Sequence, residues 1–231
     1  MIMELILEGT GYSTEQLILM VTLFLISAIS AIAINKAFHA LIARRCGDVY
    51  YSVKKKASKN PLRVIHADDI LSIFVLLFFG FSAVKHPTPQ SSRNKNMLIA
   101  LSGPAANLIT CFISLILYQV FFLIAEATYK IGQNSIFEII LSLLMTFASV
   151  NAAITIFNLI PVPPLDGGQF IAQIFPEQAR ARYLSIEKYS LFILVFLIVL
   201  FSRSGIYLQL IGGFLNGLQA IIIPVFSLFV S

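Results

Sequence analysis

Long apolar stretches separated by short polar ones dominate this chain. We interpret five of them as membrane spans, because a helical span needs roughly 20 mostly apolar residues; they cover about 16–43, 97–125, 135–160, 188–202 and 206–230. A shorter run, ILSIFVLLFFGFSAV at 70–84, would reach about 22 Å as a helix, which is less than a hydrocarbon core of ~30 Å. The pattern predicts an all-α membrane protein, a polytopic helical bundle of about five spans with a re-entrant or partial span at 70–84.

Composition supports one membrane domain over residues 1–231. The chain is 58% hydrophobic and 12% charged, whereas soluble domains carry roughly 25% charged residues. The net charge of +5 does not indicate nucleic acid, because the basic residues cluster between apolar segments. Cys46 and Cys111 have no metal or redox spacing, so we expect unpaired thiols. The expected partner is the lipid bilayer, and the protein should be integral and multi-pass.

The distribution of basic residues predicts an orientation. Ten of them follow the first span and the short apolar run: Arg44, Arg45, Lys54, Lys55, Lys56, Lys59, Arg63, Lys85, Arg93 and Lys95. The positive-inside rule places both groups in the cytoplasm, so 70–84 should enter and leave on one side and 44–69 should be a basic cytoplasmic loop. The acidic N-terminus should lie outside. The end of the first span and the stretch around Asp166 should then open to the cytoplasm.

Two ionisable residues, Lys36 and Asp166, lie within or beside apolar segments, where such residues usually serve a function. Asn35 and His39 are spaced i, i+4 and share one helical face, which Lys36 borders. Asp166 belongs to FNLIPVPPLDGGQF, whose three prolines cannot continue a helix. Because unwound backbone at membrane depth needs protein or water around it, this segment should line a polar cavity. Alternatively, Asp166 is the N-cap of the following helix.

Four stretches carry a family resemblance: FHALIARRCGD, FFGFSAVKHPTPQ, IALSGPAANLI and FNLIPVPPLDGGQ, in that order. The chain resembles the site-2 protease family of intramembrane zinc metallopeptidases, with a site-2 protease-like core at about 20–200. In that family two histidines of His-Glu-x-x-His and the aspartate of the Asp-Gly motif bind zinc, and the glutamate is the general base. The resemblance places the second histidine at His39 and the aspartate at Asp166.

The other two positions depart from the family pattern. Asn35 replaces the first histidine, and Lys36 replaces the glutamate. We therefore expect no zinc at high affinity and a non-functional base, since an ammonium repels a dication and cannot accept a proton. One hypothesis is that Lys36 forms a salt bridge with Asp166 in place of the metal charge; the alternative is that it snorkels toward the cytoplasmic edge. The remaining histidines, His66 and His86, should be solvated loop residues; the alternative is that one of them folds toward the site if the run at 70–84 is re-entrant.

The predicted function follows from these departures. We expect a catalytically impaired pseudopeptidase that keeps the fold and binds transmembrane segments of client proteins. The resemblance also places Asn107 and Asn158 near the cavity, where they would clamp the backbone of an unwound substrate helix. One alternative is an active zinc-dependent protease with an unusual ligand set, with zinc as its cofactor. The other is a small-molecule or ion carrier that uses Lys36 and Asp166.

Overall fold

The structure is a computed structural model that describes residues 13–48, 91–128, 136–189, 192–193, 195–197, 199–200 and 205–230. Several features predicted from the sequence lie outside these residues: the run at 70–84, the loop beyond residue 48, the acidic stretch before residue 13, His66, His86 and most of the span predicted at 188–202. The orientation argument therefore rests on the sequence alone.

All the elements in the described part of the chain are helical. They are α1 (Thr14–Arg45), α2 (Arg93–Ala127), α3 (Ile136–Asn158), α4 (Asp166–Ala172), α5 (Glu177–Leu184), a 3-10 turn (Ser185–Tyr189) and α6 (Ile206–Val230). Four of them, α1, α2, α3 and α6, are long and apolar enough to cross a membrane. The all-α membrane fold is confirmed, and four of the five predicted spans correspond to these helices.

The two ends of α1 are defined by local hydrogen bonds. Ser13 and Gln16 form a capping box at its start, which satisfies two backbone N–H groups that the helix cannot. At its end Gly47 takes a φ of 72°, a left-handed conformation that costs glycine little. This turn lets the Asp48 N–H donate to the Ala43 carbonyl at 2.9 Å. His39 lies six residues before Arg45, so it is about 9 Å inside the basic end of the helix.

The helices α1, α2 and α3 pack on one another around an apolar core that includes Phe24, Ile32, Leu115 and Ile154. The short helix α4 packs against α2, and α6 packs against α2 and α3. The hydroxyl of buried Tyr207, on α6, donates to a backbone carbonyl of α3. The three-helix core thus provides a rigid support on which α4 is placed.

Candidate active site

The structure brings His39 and Asp166 together although 127 positions separate them in the sequence. His39 Nε2 lies 3.2 Å from Asp166 Oδ2. Each residue is only 1% exposed. Burying two such groups is costly unless each has a partner, so the contact between α1 and α4 must be held accurately. The surrounding sequence shows how this is done.

The proline-rich segment 159–165 positions Asp166. Its backbone passes so close to α4 that a Cβ at Gly167 would lie 2.2 Å from the Leu159 carbonyl oxygen, and one at Gly168 would lie 2.4 Å from Pro163 N. Only glycine permits this approach. Leu165 is the N-cap and Asp166 is the first residue of α4. The alternative that Asp166 caps this helix is therefore wrong by one position, and its carboxylate faces His39 instead.

The outer side of this segment is fastened by Tyr183, which follows α4 in the chain. Its hydroxyl donates a 2.7 Å hydrogen bond to the Pro161 carbonyl, and its ring packs edge-on against Phe175. Partial burial raises the pKa of the Tyr183 hydroxyl above its usual value. Tyr183 therefore stays a hydrogen-bond donor throughout the physiological pH range.

His39 is held from the other side by the SGPAAN stretch of α2. A Cβ at Gly103 would lie 2.2 Å from His39 Nε2 and 2.8 Å from Asn35 Nδ2, so the imidazole lies directly on the α2 backbone. The Ser102 hydroxyl is 3.4 Å from His39 Nδ1 and also donates to the Ile99 carbonyl at 2.6 Å. The sequence reading missed both roles. The run of small residues before Asn107 was the available signal, but small residues also serve ordinary helix packing.

These contacts define where the protons lie. Because the Ser102 hydroxyl uses its hydrogen for Ile99, its oxygen accepts from the Nδ1–H of His39. Nε2 then faces the Asp166 carboxylate, and a hydrogen bond between them needs one proton shared by the two groups.

Among the described residues no ion pair joins Lys36 to Asp166, so the structure does not reproduce the hypothesised salt bridge. In the described residues the ion pair of Asp166 is made with His39, which lies one turn further along α1 and occupies the position beside the carboxylate. Lys36 is itself buried and has interactions of its own. The carrier alternative, which used Lys36 and Asp166, stays a prediction.

The remaining predicted residues are all buried near this contact. Asn35 shares the His39 face of α1 and lies against Gly103. Asn107 lies one turn beyond Gly103 on α2, and Asn158 is the last residue of α3, directly before the proline-rich segment. Their position near a substrate cavity and their contact with a substrate stay predictions.

Among the described residues the donor set is too small for a tightly bound catalytic zinc, although the distance between His39 and Asp166 has the right length. Two ligands of a tetrahedral zinc lie roughly 3.3 Å apart, given bonds of about 2.0–2.1 Å, and His39 and Asp166 have this spacing. A catalytic zinc uses three protein ligands. Among the described residues no three His, Cys, Asp or Glu side chains meet to hold a metal. An amide oxygen of Asn35 is a weak substitute.

Comparisons with known proteins agree with this architecture. The model of Peptidase family M50 matches residues 23–201. A Bacillus subtilis (strain 168) protein named "Putative zinc metalloprotease YwhC" is 27% identical over 87% of this chain and 90% of its own length. A Mycolicibacterium smegmatis protein named "Putative zinc metalloprotease Rip2" is 27% identical over 80% of this chain and 70% of its own. No solved structure matches the chain. Because the family model matches most of the chain and the fold is an all-α membrane bundle, this chain belongs to peptidase family M50, the site-2 protease family.

Proposed function

We propose that this protein is a catalytically impaired member of the family, a pseudopeptidase that binds transmembrane segments of client proteins without cleaving them efficiently. The observation that carries the proposal is the composition of the buried site. His39 and Asp166 are in contact, while the two neighbouring positions that would complete a metal site and a base are Asn35 and Lys36. A lysine that is protonated cannot activate water as a base.

The structure also supports a retained binding role. The framework around the site is complete: Gly103 lies against His39, the two glycines of α4 lie against the proline-rich segment, and both sides are buried. Leu159, at the start of this segment, is 45% exposed and offers a point where a client helix can approach. A site that keeps this framework but lacks the general base is better suited to binding a client than to hydrolysing it.

Metal analysis of the purified protein tests the impairment. Prepared without added zinc, the protein should contain far less than one equivalent, because one imidazole and one carboxylate do not make a closed site. The matched control is His39→Ala, which should leave this low value unchanged. Stoichiometric zinc in the wild type that is lost in His39→Ala would refute this expectation and favour the active protease with an unusual ligand set.

A photoreactive residue at position 159 tests client binding in the same membranes. It should capture transmembrane segments of other proteins as intact adducts. The control is the same residue at Ile113, which is 50% exposed on α2 and lies more than two turns from Gly103. Equal labelling from both positions would reduce the result to general contact in the bilayer and would contradict a client site.

In this proposal the N-terminus lies outside and the His39–Asp166 site opens to the cytoplasm, because Arg44, Arg45 and Lys95 mark one end of α1 and α2. Single cysteines at Lys59 and Lys95, in a chain whose own cysteines are replaced, should both react with an impermeant reagent from the cytoplasmic side. Labelling of the two positions from opposite sides would show that the segment between them crosses the membrane, and the orientation would have to be abandoned.

A further inference from the structure

Two buried carboxamides in the middle of the bundle carry amide atoms that have no hydrogen-bond partner among the described residues. Asn107, on α2, and Asn151, on α3, are both 0% exposed. In the part of the chain that the structure describes, neither amide atom of Asn107 has a hydrogen-bond partner, and neither has Oδ1 of Asn151. Buried polar atoms are almost always hydrogen-bonded, so three such atoms in one region need an explanation.

Both residues lie at the same level of the α2–α3 contact. The two helices are joined by a short connection, which makes them antiparallel neighbours, and the Thr155 hydroxyl contacts the Pro104 carbonyl at 3.4 Å. Asn107 lies three residues after Pro104, or about 4.5 Å along the axis, and Asn151 lies four residues before Thr155, or about 6 Å. Because the helices are antiparallel, going forward along α2 and backward along α3 from this contact leads toward the same side of the membrane. Spacings of three and four also keep each residue on the contacting face.

The Asn151 side chain is already fixed in its orientation. Its Nδ2 donates a 2.8 Å hydrogen bond to the Phe147 carbonyl one turn back on α3, so its Oδ1 is left as an acceptor that needs a donor. Asn107 offers the complementary group, an N–H donor, together with a second acceptor. The unsatisfied set is therefore one donor group and two acceptors, divided between two facing helices.

The surroundings of the two carboxamides are apolar and made of small side chains. On α1, which also packs on α2, Ala31 lies one turn before Asn35, the residue that contacts Gly103; on α3, Ala148 and Ala152 flank Asn151. All three alanines are 0% exposed and belong to the same core cluster. Their short side chains add no polar group that could bond to the carboxamides. Both carboxamides are fully covered in this structure.

We propose that Asn107 and Asn151 bind buried water between α2 and α3. Water donates and accepts, so it can donate to the Asn151 and Asn107 oxygens and accept from the Asn107 N–H. Water has this role at polar sites that offer two or more partners. The site is separate from the His39–Asp166 contact, and it does not depend on whether the protein binds zinc or cleaves a client.

A structure of the full chain in detergent or nanodiscs, at a resolution that shows ordered water, tests the proposal directly. Density is expected at 2.7–3.2 Å from Asn151 Oδ1 and from a polar atom of Asn107. Direct hydrogen bonds between the two carboxamides, with no density beside them, would overturn it. This measurement uses the wild-type protein and does not depend on any variant folding.

Variants provide a second measurement. Asn107→Leu should lower the unfolding temperature by several degrees and remove the water density, because Asn151 Oδ1 is left without a donor. Asn107→Leu with Asn151→Leu should recover much of that loss, since an apolar pair needs no water. The matched control is Thr110→Val on the same helix, whose hydroxyl donates to the Ala106 carbonyl; the water density beside Asn107 and Asn151 should persist in this variant. Unchanged stability in Asn107→Leu would contradict a hydrated site.

Discussion

Asn35→His combined with Lys36→Glu should convert the protein into one that purifies with close to one zinc per chain. The double change supplies a second imidazole at the i−4 position to His39 on the same face of α1, next to a carboxylate that is already 3.2 Å from His39 Nε2. It also removes an ammonium that repels a dication. A catalytic zinc requires three protein ligands, and two of them, His39 and Asp166, already lie at about the distance that zinc ligands have. Metal analysis before and after dialysis measures the effect.

Each change alone gives a control for this gain. Asn35→His should bind zinc more weakly than the double variant, because Lys36 still opposes the metal charge. Lys36→Glu lacks the third family ligand and should remain low as well. Adding His39→Ala to the double variant should abolish the gained zinc. A double variant that still lacks zinc would show that the retained framework no longer has the geometry of a metal site. The impairment would then come from the geometry of the site and not from the missing ligands alone.

The sequence and the structure agree on the fold because its signals are local. Apolar runs longer than a bilayer thickness define α1, α2, α3 and α6 regardless of their neighbours, and the prolines of segment 159–165 end α3 by removing backbone donors. The proximity of His39 and Asp166 was available from the motif resemblance. It could not be calculated from spacing, since 127 positions separate the two residues.

The pairing within the site could not be predicted in the same way. Charge alone favoured Lys36 as the partner of Asp166. The position of each side chain on the face of α1, however, decides which of them lies beside the carboxylate. His39 faces α4 and is fixed there by Gly103 and Ser102. These two residues carry no charge, so nothing in a census of ionisable groups indicates them. The outcome depends on which backbone lies close enough to hold the imidazole.

Gly167→Ala should be one of the most destabilising single substitutions in this protein. An added Cβ would lie 2.2 Å from the Leu159 carbonyl oxygen and 2.5 Å from the Leu159 carbonyl carbon. These atoms are backbone and cannot rotate away as a side chain would, so α4 must shift from the proline-rich segment. Overpacking of this kind typically costs about 1–3 kcal/mol, and more where the neighbour is rigid. We expect the upper end of that range or beyond, measured as the free energy of unfolding in detergent.

The shift should also be visible at the site, because Asp166 precedes Gly167 directly. Moving α4 separates the carboxylate from His39 Nε2, so Gly167→Ala placed in the zinc-binding double variant should reduce its metal content. The matched control is Gly212→Ala on α6, where an added Cβ meets no atom within 4 Å. Alanine is favoured over glycine inside a helix by roughly 1 kcal/mol, so this variant should be neutral or slightly more stable. Equal effects of the two glycine substitutions would mean that the close approach between α4 and segment 159–165 does not position Asp166.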